Sequence, residues 1–472
     1  MAVSRRDFIH TVCAGAGLSA LSTWGAEKQP NILLILADQH RGMDLRCAGN
    51  SQIQTPNLDR LAREGVFFDN AIAHSPLCTP SRAILLTGKY PIANGCVSND
   101  LLLPTGQPTL ATVLTGRGYR SGYIGKWHLD GIPRSQFTPP GPRRQGFDAY
   151  WAAYNCHHAY FEPKYYRDTP ELIEKSGYEP DVQTDLAIEF LQQNPAAPFF
   201  LMVSYGPPHD PYDQVPAAYK SLYDPAKLDL RPNAPNANRS QISGYYAHIT
   251  ALDADTGRLI QTLEELGIRE NTLIVYTSDH GDMLGSHGRK NKQQPWEESI
   301  RVPLIFSQPG RLAAGTKSDL LFGTADLAPT LLGLTGAPVP AEMEGQDLSG
   351  SLLGGAGPAR DSVPILDIIP ADQAKQWNGR TWRGVRTRRH TYARFVDADW
   401  VLYDNWADPY QKDNLIGRPE HRALRDAMEN ELQRWLKRMN DPFLPEPDML
   451  ARLGLTETWR EREAHFQAGG KW

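Results

Sequence analysis

Apolar residues fall into two rhythms along the chain. One rhythm is the short unbroken run: NILLILA (31–37), FFLMVSYG (199–206), the start of TLIVYTSDHGD (272–282), and VPLIFSQPG (302–310). Runs of that length, closed by polar or turn residues, predict strands buried inside a sheet. YRSGYIGKWH (119–128) predicts a further strand leading into a loop. The other rhythm is helical. TPNLDRLAREG (55–65) predicts a helix with Thr55 as N-cap and Pro56 in the first turn. DVQTDLAIEFLQQ (181–193) predicts another, and a long helix is expected over about 245–267. Strands and helices alternate, which predicts helices packed on a mostly parallel sheet.

The texture changes after about residue 370. RGVRTRRHTYARFVDADWVLYDNWADPYQKDNL (383–415) alternates in the manner of antiparallel strands, and HRALRDAMENELQRWLKRM (421–439) reads as an amphipathic helix. This divides the chain into a large α/β unit over 27–370 and a C-terminal subdomain over 371–472. There is no internal repeat and no low-complexity tract.

Several predicted strands end in groups capable of chemistry: Asp38 and Gln39, Lys126 and His128, His209, Asp279 and His280. Ligands of open α/β sheets bind beyond the carboxyl ends of the strands. These residues, far apart in sequence, are therefore expected to meet at one sheet edge.

SPLCTPSRAILLTGKYP (75–91) adds a cysteine in an unusual setting. Pro80 suits the first turn of a helix through SRAILLTG, which places Cys78 just before a helix N-terminus. Backbone N–H groups there favour an anion and lower a thiol's pKa, and Arg82 adds positive charge. By themselves these residues leave two readings open, a nucleophile beside an anion pocket or a buried inert thiol. A cysteine-dependent phosphatase loop fits poorly, because its arginine would stand where the chain has Ile84.

Composition narrows the partners. With 40% hydrophobic and 22% charged residues, a net charge of -5 and no long basic run, the chain of 472 residues does not read as a nucleic-acid binder. At the N-terminus, SRRDFIH precedes TVCAGAGLSALSTWGA, which carries no charge before Glu27. A basic start and a short apolar stretch predict an export signal over 1–26, too short to span a bilayer. Arg5 and Arg6, followed by Phe8 and Ile9, resemble a twin-arginine signal. The expectation is a periplasmic or secreted bacterial protein that is not integral to the membrane. Cys13 would leave with the signal. Cys47, Cys78, Cys96 and Cys156 are too few for a disulfide framework, and no C-x-x-C spacing suggests zinc.

CTPSR followed by LLTGKYP resembles the signature of the type I, formylglycine-dependent sulfatases of the alkaline phosphatase superfamily. The likeness continues in order through NILLILADQHR, TPNLDRLAREGVFF, GYRSGYIGKWHL, PPHDPY, YTSDHGDMLGSHG, ESIRVPLI and LYDNWADPYQKDNL, from about residue 30 to 415. It implies an alkaline-phosphatase-like α/β core with a small C-terminal antiparallel sheet and helix. It implies hydrolysis of a sulfuric ester, on a sulfated small molecule or, for an exported enzyme, a glycan. Cys78 would be the precursor of formylglycine (3-oxoalanine), installed by a formylglycine-generating maturation enzyme. One hydroxyl of the hydrated aldehyde would attack sulfur and displace the alcohol; the second would expel sulfate. Arg82 would hold the diol, Lys126 and Lys292 would grip sulfate oxygens, His128 would assist the diol, and His209 would face the leaving oxygen. Lys292 is also a candidate proton donor.

The same resemblance implies a divalent cation held by Asp38, Gln39, Asp279, His280 and the residue at 78. Calcium heads the candidates, with magnesium and manganese open. The commonest family pattern at this corner is two aspartates followed by aspartate plus asparagine, and this chain departs from it with Asp38-Gln39 and Asp279-His280. A similar arrangement occurs in related phosphonate and phosphate ester hydrolases and in some choline sulfatases. Two alternatives therefore stand beside the leading reading: a phosphate or phosphonate ester hydrolase, and an inactive sulfated-glycan-binding protein. Outside the motifs, His157, His158, His248 and His390 are expected as surface or internally satisfied residues. Asn99, Asp100, Arg143 and Arg144 are expected in solvated loops, with contact to an anionic substrate as the second reading. Substrate choice is expected in loops 130–180 and 210–240, where the aromatics of YNCHHAYFEPKYY (154–166) suit sugar stacking or packing.

Overall fold

The computed structural model describes residues 29–469 apart from 194–197, 356, 359, 372, 373 and 375–378. The candidate export signal over 1–26, with Cys13, lies outside the described residues.

The strands are β1 (Asn31–Asp38), β2 (Val66–Ile72), β3 (Arg120–Lys126), β4 (Tyr150–Tyr154), β5 (Lys164–Tyr165), β6 (Ile173–Glu174), β7 (Phe199–Pro208), β8 (Thr272–Ser278), β9 (Leu304–Ser307) and β10 (Thr316–Gly323). Eight of them form one sheet in the order β10-β2-β9-β8-β1-β7-β3-β4. Every neighbouring pair is parallel except at β9, which runs antiparallel to both β8 and β2. β5 and β6 form a separate two-stranded ribbon.

β1 lies between β7 and β8 and is buried along its whole length. Side chains alternate across the pleat, so Ile32, Leu34 and Leu36 meet Leu85, Leu86 and Leu331 on one face. Leu33 and Ile35 meet Leu58, Leu61, Phe190, Leu252 and Leu259 on the other. The helices Cys78–Thr87 and Leu327–Leu334 thus cover one face, and Pro56–Arg63, Glu179–Gln193 and Arg239–Glu265 cover the opposite one. Each aliphatic side chain so buried contributes about 1.5–3 kcal/mol, which explains why a both-faces-apolar run marks the centre of the sheet. The long helix begins at Arg239, ahead of the expected start near 245. Asn238 accepts from the backbone N–H of Ser240 and Gln241, so a polar cap extends the helix through a stretch lacking apolar rhythm.

A second sheet, antiparallel in the order β11-β12-β13-β14, comprises β11 (Ser362–Asp367), β12 (Trp382–Thr387), β13 (His390–Phe395) and β14 (Asp399–Asp404). Its first strand lies ahead of residue 371. Leu366, Val385, Leu402, Leu432 and Trp435 share a core with Ile84 and Tyr90, so this layer backs the helix that carries Cys78. Among the described residues no helix is long and apolar enough to cross a membrane.

Candidate active site

The parallel register brings the strand ends together. Ala37 pairs with Ser278, which sets Asp38 and Asp279 side by side although 241 positions separate them. Arg82 locks that pair: Nη2 donates to Asp38 Oδ2 and Nε to Asp279 Oδ2, both at 3.1 Å. Its Nη1 donates to Lys126 O at 2.8 Å and to Ser204 Oγ at 2.7 Å, so the guanidinium spans β1, β3, β7 and the turn after β8. Arg82 is fully buried, and its planar fork is the side chain suited to bridging two carboxylates.

Cys78 opens the helix Cys78–Thr87 as its first residue. Its Sγ lies 3.3 Å from His280 Nε2, 3.9 Å from Asp38 Oδ1 and 3.9 Å from Lys126 Nζ. Burial and Asp38 would raise this thiol's pKa, but Lys126, Lys292 and His280 hold it well below the usual thiol range. Lys126 also donates to Asp38 Oδ2. Burial would raise the Asp38 pKa, yet Lys126, His209 and Arg82 keep it low; Asp279 is pushed up by burial and by Asp38.

One ligand atom each from Asp38, Cys78, Asp279 and His280 lies within 4.8 Å of the others. While the Oδ2 atoms are taken by Arg82, Oδ1 of Asp38 and Oδ1 of Asp279 face His280 Nε2 at 3.8 and 3.7 Å. His280 Nδ1 sits 3.0 Å from Gly281 O; donation there leaves the Nε2 lone pair aimed into the cluster. Two carboxylate oxygens, an imidazole nitrogen and a sulfur converging in this way fit a divalent cation. Gln39 stands at the rim, accepting from Lys292 Nζ at 2.6 Å and donating to Asp282 Oδ2 at 2.8 Å.

The far wall is built from turns. Lys292 Nζ lies 2.7 Å from His209 Nε2. Burial and Lys292 lower the His209 pKa to about 4, so its imidazole is neutral near pH 7. His128 is the opposite case: burial would lower it, but Cys156 and Asp100 raise it to about 10. Gln39 (φ 70°) and His128 (φ 53°) both take left-handed backbone just past a strand end, a strain that recurs at functional sites.

All ten sequence-predicted site residues, Asp38, Gln39, Cys78, Arg82, Lys126, His128, His209, Asp279, His280 and Lys292, are buried in this one region. Several residues expected to be bland are not. Asp100 and Asn99 are buried rather than solvated: Asp100 takes His128 Nε2 at 2.9 Å and pairs with Arg134 and Arg462, and Asn99 Oδ1 accepts from Thr79 N. Arg144 is buried over the Trp151 ring, while Arg143 reaches Asp130. His158 stacks on His209. His248 is an internally satisfied residue, 2.6 Å from Tyr178 Oη. The local sequence around Asp100 offers no signal for its role, whereas the adjacent pair His157-His158 in YNCHHAYF was a visible cue. The four described cysteines are free thiols.

The chain matches the family model described as sulfatase over residues 30–337, and one described as N-sulphoglucosamine sulphohydrolase, C-terminal, over 285–438. It is 40% identical over 426 residues to an ulvan-active sulfatase of Formosa agariphila, covering 88% of this chain and 82% of that protein. It is 29% identical to an N-acetylglucosamine-6-O-sulfatase of Bacteroides thetaiotaomicron, covering 88% and 87%. A solved structure in complex with its substrate D-glucosamine-2-N,6-O-disulfate superposes with a TM-score of 0.79 at 27% identity, covering 88% of this chain and 99% of that one.

Proposed function

The chain belongs to the sulfatase family, and we propose that it releases sulfate from a sulfated polysaccharide through a formylglycine made from Cys78. The observation that carries this reading is the setting of Cys78: a buried thiol at a helix start, against Lys126, Asp38 and His280. Once oxidised, residue 78 would supply the nucleophilic oxygen. A divalent cation held by Asp38, Asp279, His280 and residue 78, with Gln39 at its rim, would supply positive charge to that oxygen and to the ester; calcium is our first choice.

The chain's own residues account for the rest. Arg82 holds both carboxylates in register, so neither can swing away from the cluster. Lys126, beside Cys78 and Asp38, and Lys292, beside Gln39 and His209, oppose negative charge on the sulfate oxygens as the ester bond breaks. His209, neutral and hydrogen-bonded to the Lys292 ammonium, stands where a proton can pass to the leaving alcohol oxygen. His128, kept cationic by Cys156 and Asp100, faces residue 78 from the β3 side, where it stabilises an oxyanion and can return a proton. The relatives named for ulvan and for aminosugar sulfates support a glycan substrate. A polysaccharide cannot enter a cell unaided, which agrees with reading residues 1–26 as an export signal.

The test has two parts. Mass spectrometry of the peptide spanning Cys78 from the native host should find the aldehyde or its hydrate; an intact thiol throughout overturns the mechanism. Matured enzyme should turn over aryl sulfates faster than aryl phosphates. A clear phosphate preference would favour the phosphate or phosphonate ester reading, and glycan binding without sulfate release would favour the binding-protein reading.

A further inference from the structure

The helix start at Cys78 and the chain just past β3 are tied together through a third segment, the turn at Asn99 and Asp100. Thr79, one residue past Cys78, donates from Oγ1 to His128 O at 2.8 Å. The same Oγ1 accepts from Asp100 N at 3.2 Å, and Thr79 N donates to Asn99 Oδ1 at 3.0 Å. Asp100 closes the ring, with its carboxylate 2.9 Å from His128 Nε2. The turn therefore sets where His128 stands relative to residue 78. It is also strained: Asp100 takes φ 65°, a left-handed backbone that a side chain disfavours and that persists only where its surroundings hold it.

Part of what holds it comes from the far end of the chain. Arg462, in the helix Thr456–Gln467, donates from Nη2 to Asp100 Oδ2 at 2.8 Å and from Nε to Asn99 O at 3.2 Å. One guanidinium thus grips both residues of the turn. Trp459, Arg462 and Phe466 share one face of that helix, and the guanidinium carbon lies 4.7 Å and 4.8 Å from the two ring centroids. Trp459 is buried in the core that also holds Ile84, Val97 and Leu101, so the helix is seated on the segments flanking the turn. Charge balance does not require Arg462, because Arg134 already binds both oxygens of Asp100, at 2.6 and 2.8 Å. Burying a second arginine is costly unless its hydrogen bonds are met. Arg462 is buried, and it meets them at the Asn99 carbonyl, at Asp100 and at Glu463 Oε1, 3.0 Å from its Nη1. A planar fork with that set of acceptors suits a geometric role. The helix lies beyond residue 438, where the matches to both family models have ended.

We propose that Arg462 is a positioning residue, through which the C-terminal helix pins the turn at Asn99 and Asp100 and so fixes His128 against residue 78. The consequence for turnover rests on the sulfatase reading; the placement does not. Arg462→Met is expected to lower kcat on an aryl sulfate by about ten- to a hundredfold with KM little changed, the cost of displacing a reacting group by about an ångström. In the same protein the amides of Thr79 and Asp100 should exchange hydrogen about tenfold faster, the worth of one lost hydrogen bond, while those of β1 keep their protection. Arg462→Lys keeps the charge and loses the fork, and should fall between wild type and Arg462→Met in both readouts. Wild-type kcat in Arg462→Met, a loss carried by KM, or unchanged exchange at Thr79 and Asp100 overturns the proposal. If Arg462→Met loses protection in β1 as well, it has unfolded, and Arg462→Lys against wild type decides by the same two readouts. If the matured wild type releases no sulfate from aryl sulfates, the sulfatase reading has failed, and exchange at Thr79 and Asp100 decides the placement alone.

Discussion

His158 lies flat on His209, with ring centroids 4.0 Å apart and planes 7° from parallel. Tyr160 Oη ties the pair together, donating to His209 O at 2.8 Å and standing 3.4 Å from His158 Nδ1. The ring proposed to face the leaving oxygen is thus held on a face and at its backbone. Loss of such a support costs roughly ten- to a hundredfold in rate when a reacting group drifts by an ångström. His158→Ala should lower kcat on an aryl sulfate by about that factor, with little change in the unfolding temperature. His158→Phe preserves the stack and should recover most of the rate. Equal kcat in all three proteins would remove His158 from this role.

Arg82 compensates two buried carboxylates at once. Removing one partner of a buried ion pair costs about 3–5 kcal/mol. Arg82→Met should lower the denaturant midpoint accordingly and abolish sulfate release. A midpoint matching wild type would show that Lys126 suffices for Asp38 and that Asp279 does not depend on Arg82 for its charge balance.

The donor cluster predicts a ligand-linked rise in stability. Calcium at a hundredfold excess over its Kd should stabilise the protein by about 2.7 kcal/mol, seen as a shift in thermal unfolding that a chelator reverses. Asp279→Asn should lose that shift. Stabilisation persisting in Asp279→Asn would move the cation elsewhere.

Gly125, next to Lys126 in β3, has φ 100°, and a Cβ there would lie 2.1 Å from Ser204 O. Gly125→Ala must push β3 away from β7 and move Lys126 with it. The expected cost is at least about 2 kcal/mol, by backbone strain and clash together, with activity falling further than stability. A fully active Gly125→Ala enzyme would show that the strand pair yields without moving the lysine.

Asp367, in β11, is buried with one carboxylate oxygen unpartnered, and burial raises its pKa from 3.8 to about 8. A raised folded-state pKa means that the protonated form is the one the fold favours. Its contribution is fully present below about pH 4 and is lost as pH rises toward 8. Asp367→Asn, which stays neutral, should therefore raise the unfolding temperature relative to wild type more at pH 8 than at pH 5. An equal difference at both pH values would mean that Asp367 titrates normally.

Much of this architecture was legible in advance because it is written in contiguous residues. NILLILA is apolar on both faces, and only a central strand has apolar neighbours on both faces, which is where β1 lies. Pro80 and Arg82 read as the first helical turn after a cysteine, and the helix starts at Cys78. β9 was readable as a strand, but nothing within VPLIFSQPG gives its direction, and it runs against its neighbours. The polar cap at Asn238 hid the start of the longest helix from a reading of apolar rhythm.

The sequence by itself determined five of the eight main-sheet strands and the longest helices. It determined that strand ends carry Asp38, Lys126, His209 and Asp279, and that Cys78 stands at a helix start, although it placed Cys78 just before the helix and the structure makes it the first helical residue. Periodicity and turn chemistry act over a few residues, so a linear reading reaches them. Only the tertiary structure decided that Asp100 braces His128 and that His158 supports His209. Those relations join side chains from separate elements, and their burial and charge balance exist only once the chain has brought them together.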